Sequence, residues 1–260
     1  MSCVILFLRK DLVPFTMKRM DAYDQKERKT MPERYEKEFA AAYVRGYAKR
    51  KAPGLLPGPL LDTPLAELTD EGTAAVIQAG SSAGLRMYHF KKKEPLPRVK
   101  AVIGMLKGFQ PEDLLDVGSG RGVFLLPFLK EFPWVPVTSV DLLPHRVEML
   151  QCLAEGGMEN LTALRQDICA WDMDADAFDV VTMLEVLEHI PDVGGAVSAA
   201  VRLARRYVVA SVPSKPDDNP EHIHLLTKDK LTELFAKAGC GRLQFSGVNG
   251  HLIMAANTAR

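Results

Sequence analysis

The segment that decides the fold is Leu114-Leu115-Asp116-Val117-Gly118-Ser119-Gly120-Arg121-Gly122. It joins a short apolar run to a turn in which glycines alternate with other residues, and a second apolar segment follows. This pattern is typical of a buried strand that turns sharply into a helix, because glycine adopts backbone angles that other residues disfavour. The absence of side chains also lets a ligand approach the backbone closely. The segment therefore predicts a strand–turn–helix unit with a ligand at the turn.

Short apolar runs continue after this turn and are separated by segments of helical spacing. We predict strands at Leu114–Val117, Val137–Asp141, Leu161–Arg165, Phe178–Leu184, Tyr207–Val212, Leu243–Phe245 and Leu252–Ala256. The pair Asn249-Gly250 between the last two strands is typical of a tight hairpin turn. A C-terminal hairpin with an antiparallel strand is therefore expected.

The segments between these strands predict helices at Val123–Lys130, from Pro144 to about Gly156, at Asp192–Ala204 and at Thr227–Ala238. Strands that alternate with helices form a parallel sheet with helices on both faces, and such sheets bind ligands at the carboxyl ends of their strands. The fold class is therefore α/β, with a doubly wound, Rossmann-like, seven-stranded and mostly parallel sheet.

The N-terminal part of the chain has a different organisation. Residues 1–30 are charge-rich and are expected to be poorly ordered or loosely docked, whereas residues 32–50 and 65–79 have helical spacing on either side of a linker rich in proline. A further helix is predicted from Pro97 to Leu106. We expect residues 1–95 to form a basic, helical N-terminal extension and residues 96–260 to form the ligand-binding domain.

Charge is distributed unevenly along a chain that is neutral as a whole. Residues 1–110 carry 20 basic and 12 acidic side chains, whereas residues 111–260 carry 13 and 21. Two interpretations remain open: two ordinary solvated faces, or a basic lobe that meets an anionic substrate or partner.

Cysteine spacing and hydropathy indicate the compartment in which the protein acts. Cys3, Cys152, Cys169 and Cys240 show no metal or redox spacing, which favours a reduced, cytoplasmic protein. The apolar run from Cys3 to Leu8 is too short for a signal core or a membrane span, so no membrane partner is expected. The sequence does not indicate an oligomeric state.

The chemistry of the glycine turn separates two classes of ligand. A dinucleotide fingerprint has the spacing G-x-G-x-x-G and places a pyrophosphate on the helix N-terminus. Here the third glycine, Gly122, comes one residue early, and Asp116 stands two positions before Gly118. A carboxylate at that strand end repels a pyrophosphate and favours a cationic ligand.

With these features, residues 97–257 resemble the class I S-adenosylmethionine-dependent methyltransferases. The resemblance implies that the glycine turn packs against the methionine part of the cofactor, that Asp141 binds the ribose hydroxyls, and that Asp167 and Ile168 contact the adenine. It also implies that the N-terminal helices form a lid over the substrate. The cofactor-binding residues it implies are Asp116, Gly118, Ser119, Gly120, Gly122, Asp141, Leu142, Asp167, Ile168 and Leu184.

The segment Glu185-Val186-Leu187-Glu188-His189 follows the fourth predicted strand, and His222 and His224 follow the fifth. If the first segment is helical, its two acids and its histidine share one face, because residues three and four apart are neighbours on a helix. Carboxylates and imidazoles at adjacent strand ends can hold a divalent cation.

This E-x-x-E-H pattern resembles the small-RNA 3′-terminal 2′-O-methyltransferases and the ubiquinone-pathway O-methyltransferases. The resemblance implies that Glu185, Glu188, His189 and His222 bind Mg²⁺ or a similar cation, which would hold a vicinal diol or catechol. The chain departs from the RNA enzymes in a shorter interval before His222 and in lacking their aromatic stretch. Alternatively, the pattern begins a helix in a metal-free enzyme, with His189 as the base and Glu185 as a second catalytic residue.

The resulting hypothesis is O-methylation of a small molecule by S-adenosylmethionine, possible with or without a cation. One alternative is an RNA ribose 2′-O-methyltransferase, which Lys91–Lys93 and the basic N-terminal half favour. Two others are a nicotinamide oxidoreductase, disfavoured by Asp116, and a scaffold that binds cofactor without catalysis. His251 borders the last strand, and no role is predicted for it.

Overall fold

The protein is described here by a computed structural model of residues 34–259. Its strands are β1 (Leu114–Val117), β2 (Val137–Asp141), β3 (Leu161–Arg165), β4 (Phe178–Leu184), β5 (Ala204–Pro213), β6 (Leu243–Val248) and β7 (His251–Asn257). They form one seven-stranded sheet in the order β3-β2-β1-β4-β5-β7-β6. The pairings from β3 to β5 are parallel, and β7 runs antiparallel to both β5 and β6. The predicted fold class is confirmed.

Helices cover both faces of the sheet. They are α1 (Lys37–Lys51), α2 (Gly58–Asp62), α3 (Asp70–Ser82), α4 (Pro97–Phe109), α5 (Leu125–Glu131), α6 (Pro144–Glu155), α7 (Val193–Leu203) and α8 (Lys228–Lys237). Short 3₁₀ turns lie at Leu65–Glu67, Tyr88–Phe90, Ile168–Ala170 and Leu187–His189. Among the described residues, no helix is long and apolar enough to cross a membrane.

The core has two halves, one on each face of the sheet. Neighbouring residues of a strand point to opposite faces, so Leu114 packs with α1 and α4–α6, whereas Leu115 packs with α7 and α8. Both leucines are fully buried. This double covering explains why β1 and β4 are buried along almost their whole length and are mostly apolar. It leaves the carboxyl ends of the central strands uncovered by helices.

The described part of the N-terminal extension packs on one face of the sheet, and its role as a lid stays a prediction. Helix α1 packs against α6, on one face of the sheet, and its buried side chains belong to the same core as Leu114. Within residues 34–95, no side chain lines the cavity described below. Residues 1–33, which carry the remainder of that prediction and the predicted loose order, lie outside the described residues.

The contact between α1 and α6 depends on two glycines. A Cβ atom at Gly46 would lie 1.8 Å from the carbonyl oxygen of Cys152, and one at Gly156 would lie 1.7 Å from that of Ala42. Real Cβ atoms do not approach backbone oxygens so closely. The two helices therefore pack at a distance that only glycine permits at these positions.

We expect Gly46→Ala to lower the free energy of unfolding by about 2–3 kcal/mol, because the added methyl group forces α1 away from α6. Gly104→Ala is the matched control, since Gly104 lies in α4 with open space around its Cβ position. This control should raise stability by about 0.5–1 kcal/mol. Urea unfolding measures both. Equal stability of the Gly46 variant and the parent protein would contradict the packing.

Two helix boundaries differ from the predictions for local reasons. Helix α3 begins at Asp70 rather than near Leu65, because the Thr69 side chain accepts a hydrogen bond from the Gly72 backbone N–H and caps the helix there. Helix α5 begins at Leu125, which places Pro127 in the first turn. A proline is tolerated there because first-turn N–H groups have no partner within the helix.

Candidate active site

A cavity of about 950 Å³ opens at the carboxyl ends of the central strands. It lies where the strand order reverses between β1 and β4, the position at which doubly wound sheets bind ligands. Its walls come from the glycine turn, from the ends of β2, β4 and β5, and from the start of α4. The volume suits a ligand the size of a nucleoside together with a second small molecule.

The glycine turn has the backbone that the sequence predicts. Gly118, Gly120 and Gly122 have φ angles of 70°, 57° and 75°, which favour glycine. A Cβ at Gly118 would also lie 2.4 Å from the Val186 side chain, and one at Gly122 would lie 2.9 Å from that of Leu126. The turn is therefore closed to side chains, and its backbone forms part of the cavity wall.

Asp116 is buried beneath this turn. Its carboxylate accepts hydrogen bonds from the hydroxyl groups of Ser119 and Thr182, the latter at 2.7 Å. The Ser119 and Ser139 hydroxyl oxygens are 2.6 Å apart, which extends the network to β2. Burial raises the pKa of Asp116 to about 6, despite these hydrogen bonds. A positive charge placed nearby therefore stabilises the ionised form of Asp116.

Asp141 ends β2 at the neighbouring position. The Gly120 backbone N–H donates to one carboxylate oxygen at 3.0 Å, and the Leu143 N–H donates to the other at 2.9 Å. Arg146 lies 3.6 Å from the carboxylate. A carboxylate has about four lone-pair sites, so acceptor capacity remains for two adjacent hydroxyl groups of a ligand.

The far end of the cavity suits a flat, partly polar ring. One oxygen of Asp167 accepts a hydrogen bond from the Cys169 N–H at 2.9 Å, which fixes the carboxylate at the cavity wall. Ile168 is buried beside it, and Leu142 lines the same cavity although it is 56% exposed. Leu184, at the end of β4, also lines the cavity.

The structure brings three of the four predicted metal ligands together. One ligand atom from each of Glu188, His189 and His222 lies within 4.8 Å of the others. Glu188 is buried, and neither of its carboxylate oxygens has a hydrogen-bond partner. Burial raises the pKa of Glu188 to about 7. An unpartnered buried carboxylate between two imidazoles fits a divalent cation, which would supply the missing charge.

The two histidines are oriented by groups behind them. The His189 Nδ1 lies 2.9 Å from the carbonyl oxygen of Glu221, which only accepts, so Nδ1 carries the proton and Nε2 has a free lone pair. The His222 Nδ1 lies 2.8 Å from a carboxylate oxygen of Asp217. Such outer contacts are typical of metal-binding histidines.

Glu185 is held apart from this group. Its φ is 55°, and it does not continue into the 3₁₀ turn that begins at Leu187. Its carboxylate accepts a hydrogen bond from the Ser211 hydroxyl at 2.7 Å and lies 2.9 Å from His251 Nδ1. The expectation that Glu185 shares a helical face with Glu188 is therefore wrong.

Sequence reasoning missed three residues of this second cluster. Arg98 lines the cavity, with its Nε 3.8 Å from Glu185, and Ser211 ends β5 beside it. His251 begins β7. Ser211 could have been predicted, because binding groups commonly lie at the ends of parallel strands. Arg98 and His251 lie in no motif, so no signal in the sequence points to them.

Comparisons with known proteins identify the family of the chain. Residues 89–244 match a family model described as a methyltransferase domain. The ubiquinone biosynthesis O-methyltransferase of Coxiella burnetii (strain Dugway 5J108-111) is 26% identical over 170 residues, which cover 56% of this chain and 69% of that protein. The ribosomal RNA small subunit methyltransferase G of Lactococcus lactis is 27% identical over 152 residues, covering 47% of this chain and 64% of that protein.

The fold also matches solved structures. An O-methyltransferase family protein from Burkholderia thailandensis aligns with a TM-score of 0.53 at 14% identity, covering 63% of this chain and 55% of that chain. Other relatives named ubiquinone biosynthesis O-methyltransferase match over only 35% or 43% of their length. The chain thus spans less than half of several curated relatives.

Proposed function

This chain belongs to the methyltransferase-domain family, and from that premise we propose that it transfers a methyl group from S-adenosylmethionine to an oxygen of a small molecule with two adjacent hydroxyl groups. A divalent cation at Glu188, His189 and His222 assists the transfer. The observation that carries this proposal is the buried, unpartnered Glu188 carboxylate beside two oriented imidazoles, with His189 in the wall of the cofactor cavity.

The cavity offers a matching group for each part of the cofactor. We assign the ribose hydroxyls to Asp141 and the adenine to the wall formed by Asp167, Ile168 and Leu142. The positive methionine end lies over the glycine turn, where the buried Asp116 attracts it. We assign the methionine carboxylate to Arg98, because the Arg98 side chain lines the same cavity close to that turn.

Glu188, His189 and His222 would hold the cation. When bound, a divalent cation lowers the pKa of an acceptor hydroxyl and fixes its orientation. Two imidazoles and one carboxylate favour a transition metal such as Mn²⁺ over Mg²⁺, which prefers oxygen ligands. Three protein ligands leave positions open for both oxygens of a vicinal diol or catechol. Glu185 is not required in this set.

The transfer itself demands positioning more than covalent chemistry from the protein. The acceptor oxygen forms a bond to the methyl carbon in line with the sulfonium sulfur, and the carbon–sulfur bond breaks with its electron pair left on sulfur. The acceptor proton must leave. When no cation is bound, the His189 Nε2 takes it, because the Nδ1 proton is directed at the Glu221 carbonyl. When His189 holds the cation, the lowered pKa of the acceptor hydroxyl lets the proton leave to solvent. Holding both substrates in this alignment supplies most of the acceleration.

Methyl transfer to catechol tests the proposal, with methyl-labelled S-adenosylmethionine and protein treated with a chelator. We expect no labelled product until Mn²⁺ is added, and full recovery afterwards. Transfer that proceeds equally with the chelator present would contradict cation assistance but not O-methylation. If catechol and aliphatic vicinal diols all remain unlabelled with Mn²⁺ present, the acceptor class is wrong.

The pH dependence of cofactor binding provides a separate prediction. In the free protein Asp116 is protonated below its pKa of about 6 and is then neutral. Because only the charged form attracts the positive cofactor, the Kd for S-adenosylmethionine should rise about tenfold per pH unit below pH 6 and stay level above it. Calorimetry measures this, and the step should disappear in Asp116→Asn. A Kd that is level from pH 5 to pH 8 in the parent protein would contradict the assignment.

A second candidate is methylation of an RNA ribose. It is supported by the relative named as a ribosomal RNA methyltransferase and by the excess of basic side chains in residues 1–110. Binding to RNA that weakens steeply with salt would support it. No binding at low salt would remove it.

The nicotinamide oxidoreductase alternative is wrong, because the family is one of methyltransferases. The scaffold alternative predicts cofactor binding without transfer to any acceptor. We place the reaction in the cytoplasm.

A further inference from the structure

Four side chains from distant parts of the chain meet at one end of the cavity. Arg98 comes from the start of α4, Glu185 from the end of β4, Ser211 from the end of β5, and His251 from the start of β7. Pairing of β5 with β7 places Pro213 opposite His251, and this register brings the imidazole to the tip of the sheet. The cluster therefore exists only because the antiparallel strand closes the sheet.

His251 lies between a cation and an anion. Its Nε2 is 3.5 Å from Arg98 Nη1, and its Nδ1 is 2.9 Å from Glu185 Oε2. A guanidinium group only donates hydrogen bonds, so the nitrogen that faces Arg98 is the acceptor. The other nitrogen then carries the proton and faces the carboxylate. The contact between Nδ1 and Glu185 is close but lacks hydrogen-bond geometry, so Glu185 fixes the imidazole through a short polar contact.

Glu185 is a rigid partner in this arrangement. Its backbone N–H donates to the Ser211 carbonyl oxygen at 2.8 Å, and the Ser211 hydroxyl donates to its other carboxylate oxygen. These bonds hold a φ of 55°, which is strained for a residue with a side chain. With Glu185 fixed, the position of His251 is fixed as well.

Arg98 has less support of its own. Its Nε is 3.8 Å from Glu185 Oε2, which is an ion-pair distance rather than a hydrogen bond, and its side chain is 22% exposed. Two long contacts, one with Glu185 and one with His251, therefore orient the guanidinium group of Arg98. The remaining N–H groups are free to face the cavity.

We propose that His251 is a positioning residue, which orients Arg98 toward the carboxylate of the methionine end of the cofactor. This inference rests on the assignment of Arg98 made above. It gives the histidine a use at this position, since one ring nitrogen faces a cation as an acceptor while the other lies beside an anion. Glutamine can do the same with its amide, whereas leucine cannot.

Two ligands that differ at the methionine end test the proposal. S-adenosylhomocysteine carries the amino and carboxyl groups, and 5′-methylthioadenosine lacks both. We expect His251→Leu to reduce the ratio of their affinities about tenfold, by weakening only S-adenosylhomocysteine, as expected when a charge-assisted hydrogen bond loses its alignment. His251→Gln should restore most of the ratio. His145→Leu, on the exposed side of α6, is the matched control.

The outcomes distinguish failure of this proposal from failure of the Arg98 assignment on which it rests. If His251→Leu weakens both ligands equally, the residue has only a structural role, and the proposal fails. If Arg98→Ala reduces the ratio but His251→Leu does not, the proposal fails and the Arg98 assignment stands. If neither variant changes the ratio, both fail. Calorimetry at a temperature well below the unfolding midpoint of each variant excludes loss of folded protein.

Discussion

Glu188→Gln should lower cation-dependent methyl transfer by about 100-fold or more, because several kcal/mol of charge stabilisation at the acceptor oxygen would be lost. Glutamine keeps the size of the side chain but cannot balance a divalent cation. The parent carboxylate is buried and makes no hydrogen bond, so the substitution removes no partner from the fold. The expected result is thus a folded protein that binds S-adenosylmethionine normally and transfers its methyl group poorly.

Steady-state kinetics with saturating Mn²⁺ and catechol measure this effect. Glu159→Gln is the matched control, since Glu159 is exposed and lies outside the cavity lining. It should behave as the parent protein. A Glu188→Gln variant with more than half of the parent activity would show that the cluster of Glu188, His189 and His222 does not assist the reaction.

Asp141→Ala should raise the Kd for S-adenosylhomocysteine by about 100-fold. Two hydrogen bonds from the ribose to a carboxylate contribute about 1.5–3 kcal/mol each. The substitution also deprives the backbone N–H groups of Gly120 and Leu143 of their acceptor, which loosens the glycine turn. Both effects weaken the same ligand.

Calorimetric titration measures this change, with Asp172→Ala as the control because Asp172 is exposed and does not line the cavity. The control should bind as the parent protein does. An affinity reduced less than about threefold in the Asp141 variant, which is under 1 kcal/mol, would mean that the ribose lies elsewhere in the cavity.

Local motifs allowed the strands around the cavity to be predicted, and the residues proposed for the cofactor lie at the ends of those strands. Strands β1 to β4 begin and end at the predicted residues. In a parallel sheet, the carboxyl ends of the strands lie on one side, so Asp116, Asp141 and Asp167, in or near those ends, could be placed together from sequence. The backbone angles of the glycine turn are set by the glycines of the turn itself, so the turn could also be predicted from sequence.

The acceptor half depends on contacts that no local pattern reveals. Glu185 was expected on a helical face, but its N–H pairs with Ser211 on the neighbouring strand, and this pairing turns it away from Glu188. His251 reaches the site through the register between β5 and β7. The docking of α1 on α6 through Gly46 is likewise a tertiary contact, which helical spacing alone does not reveal.

A crystal structure of the protein with Mn²⁺ and S-adenosylhomocysteine tests the central claim most directly. Anomalous scattering locates the metal independently of the protein atoms. The account predicts a peak bonded to Glu188, His189 and His222 at about 2.0–2.3 Å, facing the sulfur of the bound nucleoside. No peak at these residues, in crystals that contain Mn²⁺ and the nucleoside, would contradict it.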